Sequence, residues 1–327
     1  MSTLRAQCQR WLNGPCTDAD LAAADRSLED ALAAIPAVVD VCQPWSPPAE
    51  GLQAFSSFDR PRQLRALAPA GLLDGLWLSH IARPATGHWP LPNLLLLLLT
   101  ETLGLEDPTR APPIRFRAAL VAAGVALPRL DEADFFEHPA LTESGVRFAA
   151  LTLALKHRPV QRFAECLGFS LAHLGRTAAD WDDPDSARLR ATQHARLVMA
   201  LKAEPLDEAR VQAGFALYVG AFNNLLSDPE LNVPEAAPTS RMAALITAKL
   251  PHAIGYHGQV QLQGQSLDAW LAAHPQQPDA LPAALRHSAW VNPACPAGSR
   301  LLKALRFGGP MFGVFNEAEQ QVMHDWI

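Results

Sequence analysis

Apolar residues recur at helical spacing along most of the chain. Leu21, Leu28, Leu32 and Ile35 share one face of a helix that runs until Pro36, and Thr17 and Asp20 stand where an N-cap and an acidic third residue belong. From Gln63 to Leu226 the same periodicity predicts helices at about 63–81, 91–104, 113–124, 143–156, 159–174, 184–203 and 206–226, separated by turns carrying Pro and Gly. Two of them, 91–104 and 159–174, are apolar on nearly every side, so both are expected at the centre of a bundle, where any polar residue is informative. Residues 43–63, with Pro44, Pro47, Pro48, Ser56, Ser57 and Pro61, carry turn chemistry without a period and are expected to connect.

A second break runs from Ser227 to Ser240. Beyond it come a helix at 241–250, an alternating stretch from Gln259 to Gly264 that reads as a hairpin arm, a helix from Leu267 to Ala273 and a closing helix from Glu317. The expected division is 1–60 as N-terminal helix and linker, 61–228 as a helical bundle, 229–240 as linker and 241–327 as a small α-rich C-terminal domain. The expected fold class is all-α.

Composition agrees with that picture and removes several classes of function. Leu and Ala dominate while β-branched and aromatic residues are sparse, which favours helix over strand. Apolar residues make up 49% of the 327 positions and charged residues only 18%, so a globular chain with a large core is expected. The net charge of −6, without a basic stretch interleaved with aromatics, argues against nucleic acid as a partner. The richest apolar run, Leu94 to Leu99, is far shorter than the roughly 20 residues that span a bilayer, and no membrane partner is expected. The N-terminus shows no apolar signal region, and the five cysteines (Cys8, Cys16, Cys42, Cys166, Cys295) are scattered and odd in number. Reduced thiols in a cytoplasmic protein are therefore expected. Without a CxxCH there is no attachment for covalent haem, and Met311 reads as core. Hydrolase elbows (GxSxG) and phosphate loops (GxxxxGK[ST]) are also absent from the sequence.

Several stretches nevertheless resemble a known family: Gly71-Leu-Leu-Asp-Gly-Leu-Trp-Leu-Ser79, Pro84-Ala-Thr-Gly-His88, Glu101-Thr-Leu-Gly-Leu-Glu-Asp-Pro108 and Glu165-Cys-Leu-Gly-Phe-Ser-Leu-Ala172. In the tail they are Leu250-Pro-His-Ala-Ile-Gly-Tyr-His257, Gly264-Gln-Ser-Leu-Asp-Ala-Trp270 and Gly308-Gly-Pro-Met-Phe-Gly-Val-Phe315. Together they resemble the iron-containing redox enzyme family, non-haem members of the haem-oxygenase-like fold. The resemblance implies a helical bundle that activates O2 at iron held by Glu, Asp and His side chains.

Carried over position by position, the implied ligand set is depleted. The first acidic ligand falls on Glu101. The family's Asn-His falls on Ala111 and Pro112, its second-helix Glu on Leu174 with His173 beside it, and its His-x3-Asp pair on Pro184 and Arg188; the last His survives as His194. Glu101, His173 and His194 are thus the candidate metal ligands, a two-His-one-carboxylate set suited to a single Fe(II). The expected function is that of a ligand-depleted relative, a pseudoenzyme acting as a binding or accessory subunit in a biosynthetic pathway, with a protein partner or a small-molecule ligand and no cofactor. The alternative is a non-haem iron oxidase or oxygenase of a small organic substrate, with iron as cofactor. Leu174 is expected in the core, Glu165 as a packing residue, and Arg188 either turned outward or paired with Glu165 or Glu101. Under pairing, Arg188→Ala costs more stability than Arg190→Ala on another face.

Overall fold

Local capping chemistry sets where the helices begin. The computed structural model describes residues 3–14, 17–33, 40–105, 107–125, 127–132, 135–138, 140–179, 182–203, 206–232, 237–315 and 317–327. The expected helix end at Ile35 and Pro36, Cys16 and residues 233–236 of the expected linker lie outside them. The chain divides into two units, 1–125 with 129–232, and 233–327 with 126–128.

The first unit opens with α1 (Thr3–Asn13) and α2 (Asp18–Ala33). Thr17 and Asp20 cap α2 reciprocally: Thr17 Oγ1 accepts from the Asp20 amide at 3.2 Å, and Asp20 Oδ2 accepts from the Thr17 amide at 3.1 Å. Then follow α3 (Ala49–Ser56), α4 (Arg60–Leu72), α5 (Pro90–Thr102), α6 (Pro112–Ala122), α7 (Glu143–His157), α8 (Phe163–Gly175), α9 (Pro184–Leu201) and α10 (Glu208–Leu226). Asp59, Thr142, Asp183 and Asp207 cap α4, α7, α9 and α10 through their side-chain oxygens. The first sixty residues, expected as a separate segment, contribute α1–α3, which pack on α7 and α10.

α8 is the central helix: every residue from Phe163 to Gly175 except His173 is buried. It crosses α10 at a pair of glycines. A Cβ on Gly168 would stand 1.8 Å from the Val211 carbonyl oxygen, and one on Gly214 would stand 2.1 Å from that of Glu165, so only glycine permits the two backbones to lie this close. Beside the crossing, Arg210 clamps Glu165 with Nη2–Oε2 at 2.6 Å and Nε–Oε1 at 3.0 Å. Glu165 is thus a buried packing residue at the α8–α10 contact, and Leu174 lies in the core as expected.

Three sequence expectations need correction. α5 is not buried all round: Leu96 and Leu97 are 40% and 41% exposed, because α5 lies at the side of the bundle against α9. The helix predicted at 63–81 stops at Leu72; a turn with Gly75 in the left-handed region (φ 76°) leads into one tight helical turn at Leu76–Leu78. Residues 43–63 do more than connect. They form α3 and, ahead of it, a strap at Trp45, where Trp45 N–H donates to the Gly175 carbonyl at 3.0 Å, its indole N–H donates to the Ala172 carbonyl at 2.7 Å, and the Thr177 amide donates to the Trp45 carbonyl at 2.9 Å. The strap satisfies carbonyls that the C-terminal end of α8 leaves open.

The second unit holds α11 (Pro238–Ala253), a hairpin of β1 (Gln261–Leu262) and β2 (Gln265–Ser266), α12 (Leu267–Ala273), α13 (Ala280–Arg286), α14 (Arg300–Leu305) and α15 (Glu317–Trp326). Gln263 and Gly264, both at positive φ, make the tight turn of the predicted hairpin. One core gathers Met242, Val291, Leu305, Met323 and Trp326, with Met311 packed against it, and a second gathers Leu250, Leu262, Leu271 and Leu281. The described chain is all-α apart from this hairpin, and no helix is long and apolar enough to cross a membrane.

Candidate functional site

α8 ends at a cavity of about 520 Å³ inside the first unit. Its walls are aromatic and aliphatic, drawn from Leu67 on α4, Trp77, Phe116 on α6, Phe148 on α7 and Phe222 on α10. Polar residues converge on it from the last turn of α8, the turn after α4 and the start of α9.

The first polar group is a series of three. Gly75, in its left-handed conformation, sets the turn that carries Asp74, and Trp77 is anchored two residues on by its indole N–H to Ser170 Oγ at 2.9 Å. Asp74 Oδ1 lies 3.0 Å from His173 Nε2, and His173 Nδ1 lies 3.2 Å from the Tyr218 hydroxyl. Each ring nitrogen of His173 thus faces one oxygen, and which of them donates depends on the tautomer. Burial raises the Asp74 carboxyl, but the His173 ring, then the Arg190 and Arg176 charges, bring it below its ordinary value. Burial pushes the Tyr218 phenol up to about 12 against the pull of the same two arginines, which keeps it protonated near neutrality. A buried carboxylate, an imidazole and a phenol in series can hold and move a proton at the cavity wall.

The second group is a buried salt-bridge cluster. Asp182 takes Arg176 in fork geometry, with Nη1 at 2.9 Å and Nη2 at 2.5 Å, and also accepts from the Ala179 amide at 2.8 Å. Arg176 stacks on Phe222, its Cζ 4.7 Å from the ring centroid. Arg190 Nη2 lies 3.2 Å from Asp182 Oδ1. Burial opposes charge on Asp182, yet Arg176 and then Arg190 hold its carboxyl below its ordinary value. At the cavity edge Arg115 pairs with Asp183 and with Asp185, the latter at 3.0 Å.

The residues expected as iron ligands go to different places. His173 is engaged by Asp74 and Tyr218. Glu101 sits on the other side of α9, where its carboxylate takes Arg196 Nη1 at 2.6 Å and Gln193 Nε2 at 3.2 Å. His194 is buried with its Nε2 facing Gly175 and without a hydrogen-bond partner, and that burial lowers its pKa. Among the described residues no group of three or more His, Cys, Asp or Glu side chains is placed to hold a metal ion, so the implied iron does not fit this donor set. Arg188 points outward, its side chain 78% exposed and paired with Asp185 at 2.6 Å, not with Glu165 or Glu101. Of the two, Arg190 is the buried one, at 8% exposure.

Of this site, sequence reasoning reached His173 and missed Asp74, Tyr218, Arg176, Asp182 and Arg190. Two signals were available: Asp74 is a lone carboxylate in the apolar run Leu72-Leu-Asp-Gly-Leu-Trp-Leu78, and Tyr218 is one of only two tyrosines, on the apolar face of a helix. Fold and site together define an all-α protein with an aromatic-walled, polar-ended cavity. No protein-family model, curated protein or solved structure matches the chain.

Proposed function

We propose that the first unit is a haem-oxygenase-like bundle without its iron-ligand set, serving as a binding or accessory module that takes a small organic molecule in a biosynthetic pathway. One observation carries this reading: a cavity of about 520 Å³ joins aromatic walls to a few convergent polar groups, a size and make-up suited to small ligands. Loss of the ligand set is supported by what stands at the carried-over positions. Pro112 and Pro184 open α6 and α9, Leu174 is core, and Arg188 lies on the surface.

The test has two arms. 2-Naphthol, a planar probe small enough for the cavity, is expected to bind the full chain in ligand-observed NMR, and Ala119→Trp, which fills the cavity from α6, is expected to abolish binding while the melting temperature holds. Binding that survives Ala119→Trp would place the probe elsewhere and sink the reading. In the second arm, anaerobic Fe(II) loading is expected to leave less than one equivalent of metal by elemental analysis. Stoichiometric iron that disappears in His194→Ala would restore the oxygenase alternative.

A further inference from the structure

Arg190 is paired in charge with Asp182 but keeps hydrogen-bond donors to spare. It lies in the buried stripe of α9, yet its guanidinium makes no hydrogen bond with any described residue; its Nη2 only approaches Asp182, whose two oxygens already take Arg176 and the Ala179 amide. A buried guanidinium with unfilled donors is costly unless an acceptor meets it, and Arg190 lines the cavity. Its planar fork matches a carboxylate edge to edge.

Charge balance narrows the class further. Three aspartates (Asp74, Asp182, Asp183) line the cavity beside Arg115, Arg176 and Arg190, and Arg115 is taken by Asp185 as well, so the lining has room for no more than a single added negative charge. That suits a monoanion. A phosphate monoester, nearly a dianion at neutral pH, would meet three carboxylates with too little positive charge to offset it. The aromatic wall of Trp77, Phe116, Phe148 and Phe222 asks for a planar apolar body. We propose that the cavity takes an aromatic monocarboxylate, its carboxylate seated on Arg190 and its ring among these side chains. The inference rests on the binding reading above and adds the ligand's charge and shape.

The experiment compares 2-naphthoate with 2-naphthamide, a neutral probe of nearly the same shape, by calorimetry on the full chain at neutral pH. The carboxylate is expected to bind at least about tenfold tighter, the worth of one charge-assisted pair in a desolvated site. Arg190→Gln is expected to collapse that ratio, whereas Arg188→Gln, on the exposed face, keeps it. Arg190→Lys, which retains the charge but not the fork, should recover only part. Equal affinity of the two probes for the wild type would overturn the carboxylate assignment and leave the binding module standing. A ratio that survives Arg190→Gln would remove Arg190 as the reader. Failure of both probes to bind would take down the binding reading together with this one.

Discussion

Arg188 and Arg190 are two residues apart and live in different solvents. Arg188 makes an exposed pair with Asp185, the kind of contact worth about 0–1 kcal/mol. Arg190 is buried beside Asp182 and contributes packing as well as charge. Arg190→Ala is therefore expected to cost about 1–3 kcal/mol and Arg188→Ala almost nothing, read from urea midpoints, the reverse of the order that the pairing expectation gives. Asp182 matters more, because it joins both buried arginines. Asp182→Asn leaves Arg176 facing a neutral amide and is expected to cost about 3–5 kcal/mol at neutral pH. The pH dependence has a fixed sign. A carboxyl whose folded pKa is depressed contributes stability above its unfolded value of 3.8, and that stability is lost as pH falls from there through the folded pKa. Thermal melts between pH 5 and 2 should therefore fall more steeply for wild type than for Asp182→Asn; parallel curves would show that Asp182 is not the acid-labile group. None of this was legible in the hydrophobic pattern, since the buried stripe of α9 is Ser186, Arg190, Gln193, His194 and Leu197, four polar residues out of five.

At the scale of elements, the pattern served best where helices bury apolar faces. α7, α8 and α10 lie close to their predicted spans, and Thr17 with Asp20 marks the start of α2. α3 escaped notice because it has only eight residues, directly after Pro47 and Pro48, with Phe55 alone fully buried. α1 escaped because its buried face is narrow, held by Cys8 and Trp11. The close approach of α8 and α10 is encoded by single glycines, which periodicity cannot weigh. Gly168→Ala must push the Val211 carbonyl away and is expected to cost about 3 kcal/mol, with loss of probe binding because His173 and Tyr218 sit on these two helices. Gly220→Ala, on α10 with open space around its Cβ, is expected to stabilise by about 0.5–1 kcal/mol. Calorimetric melts of the pair separate crowding from helix propensity: similar shifts in both would mean that the crossing tolerates a methyl group.

On the scale of the whole molecule, each unit carries its own apolar core, and the cavity draws all its lining from the first. Within that unit the strap at Trp45 has a kinetic consequence. Its bond to the Ala172 carbonyl joins residues 127 apart in sequence, so the end of α8 is finished only when a very long loop closes, at an entropic cost of roughly 4 kcal/mol. Contacts of that span form after the local helices and their nearest packing partners. Trp45→Phe is therefore expected to speed unfolding and leave the refolding rate nearly unchanged in stopped-flow experiments; a matching drop in refolding rate would put the strap in the folding nucleus. Trp45 also packs edge-on to Tyr218 and Phe222, so the order of assembly reaches the cavity itself. A chain whose strap has not yet closed would be helical and collapsed without a finished aromatic wall, so probe binding is expected to return last on refolding.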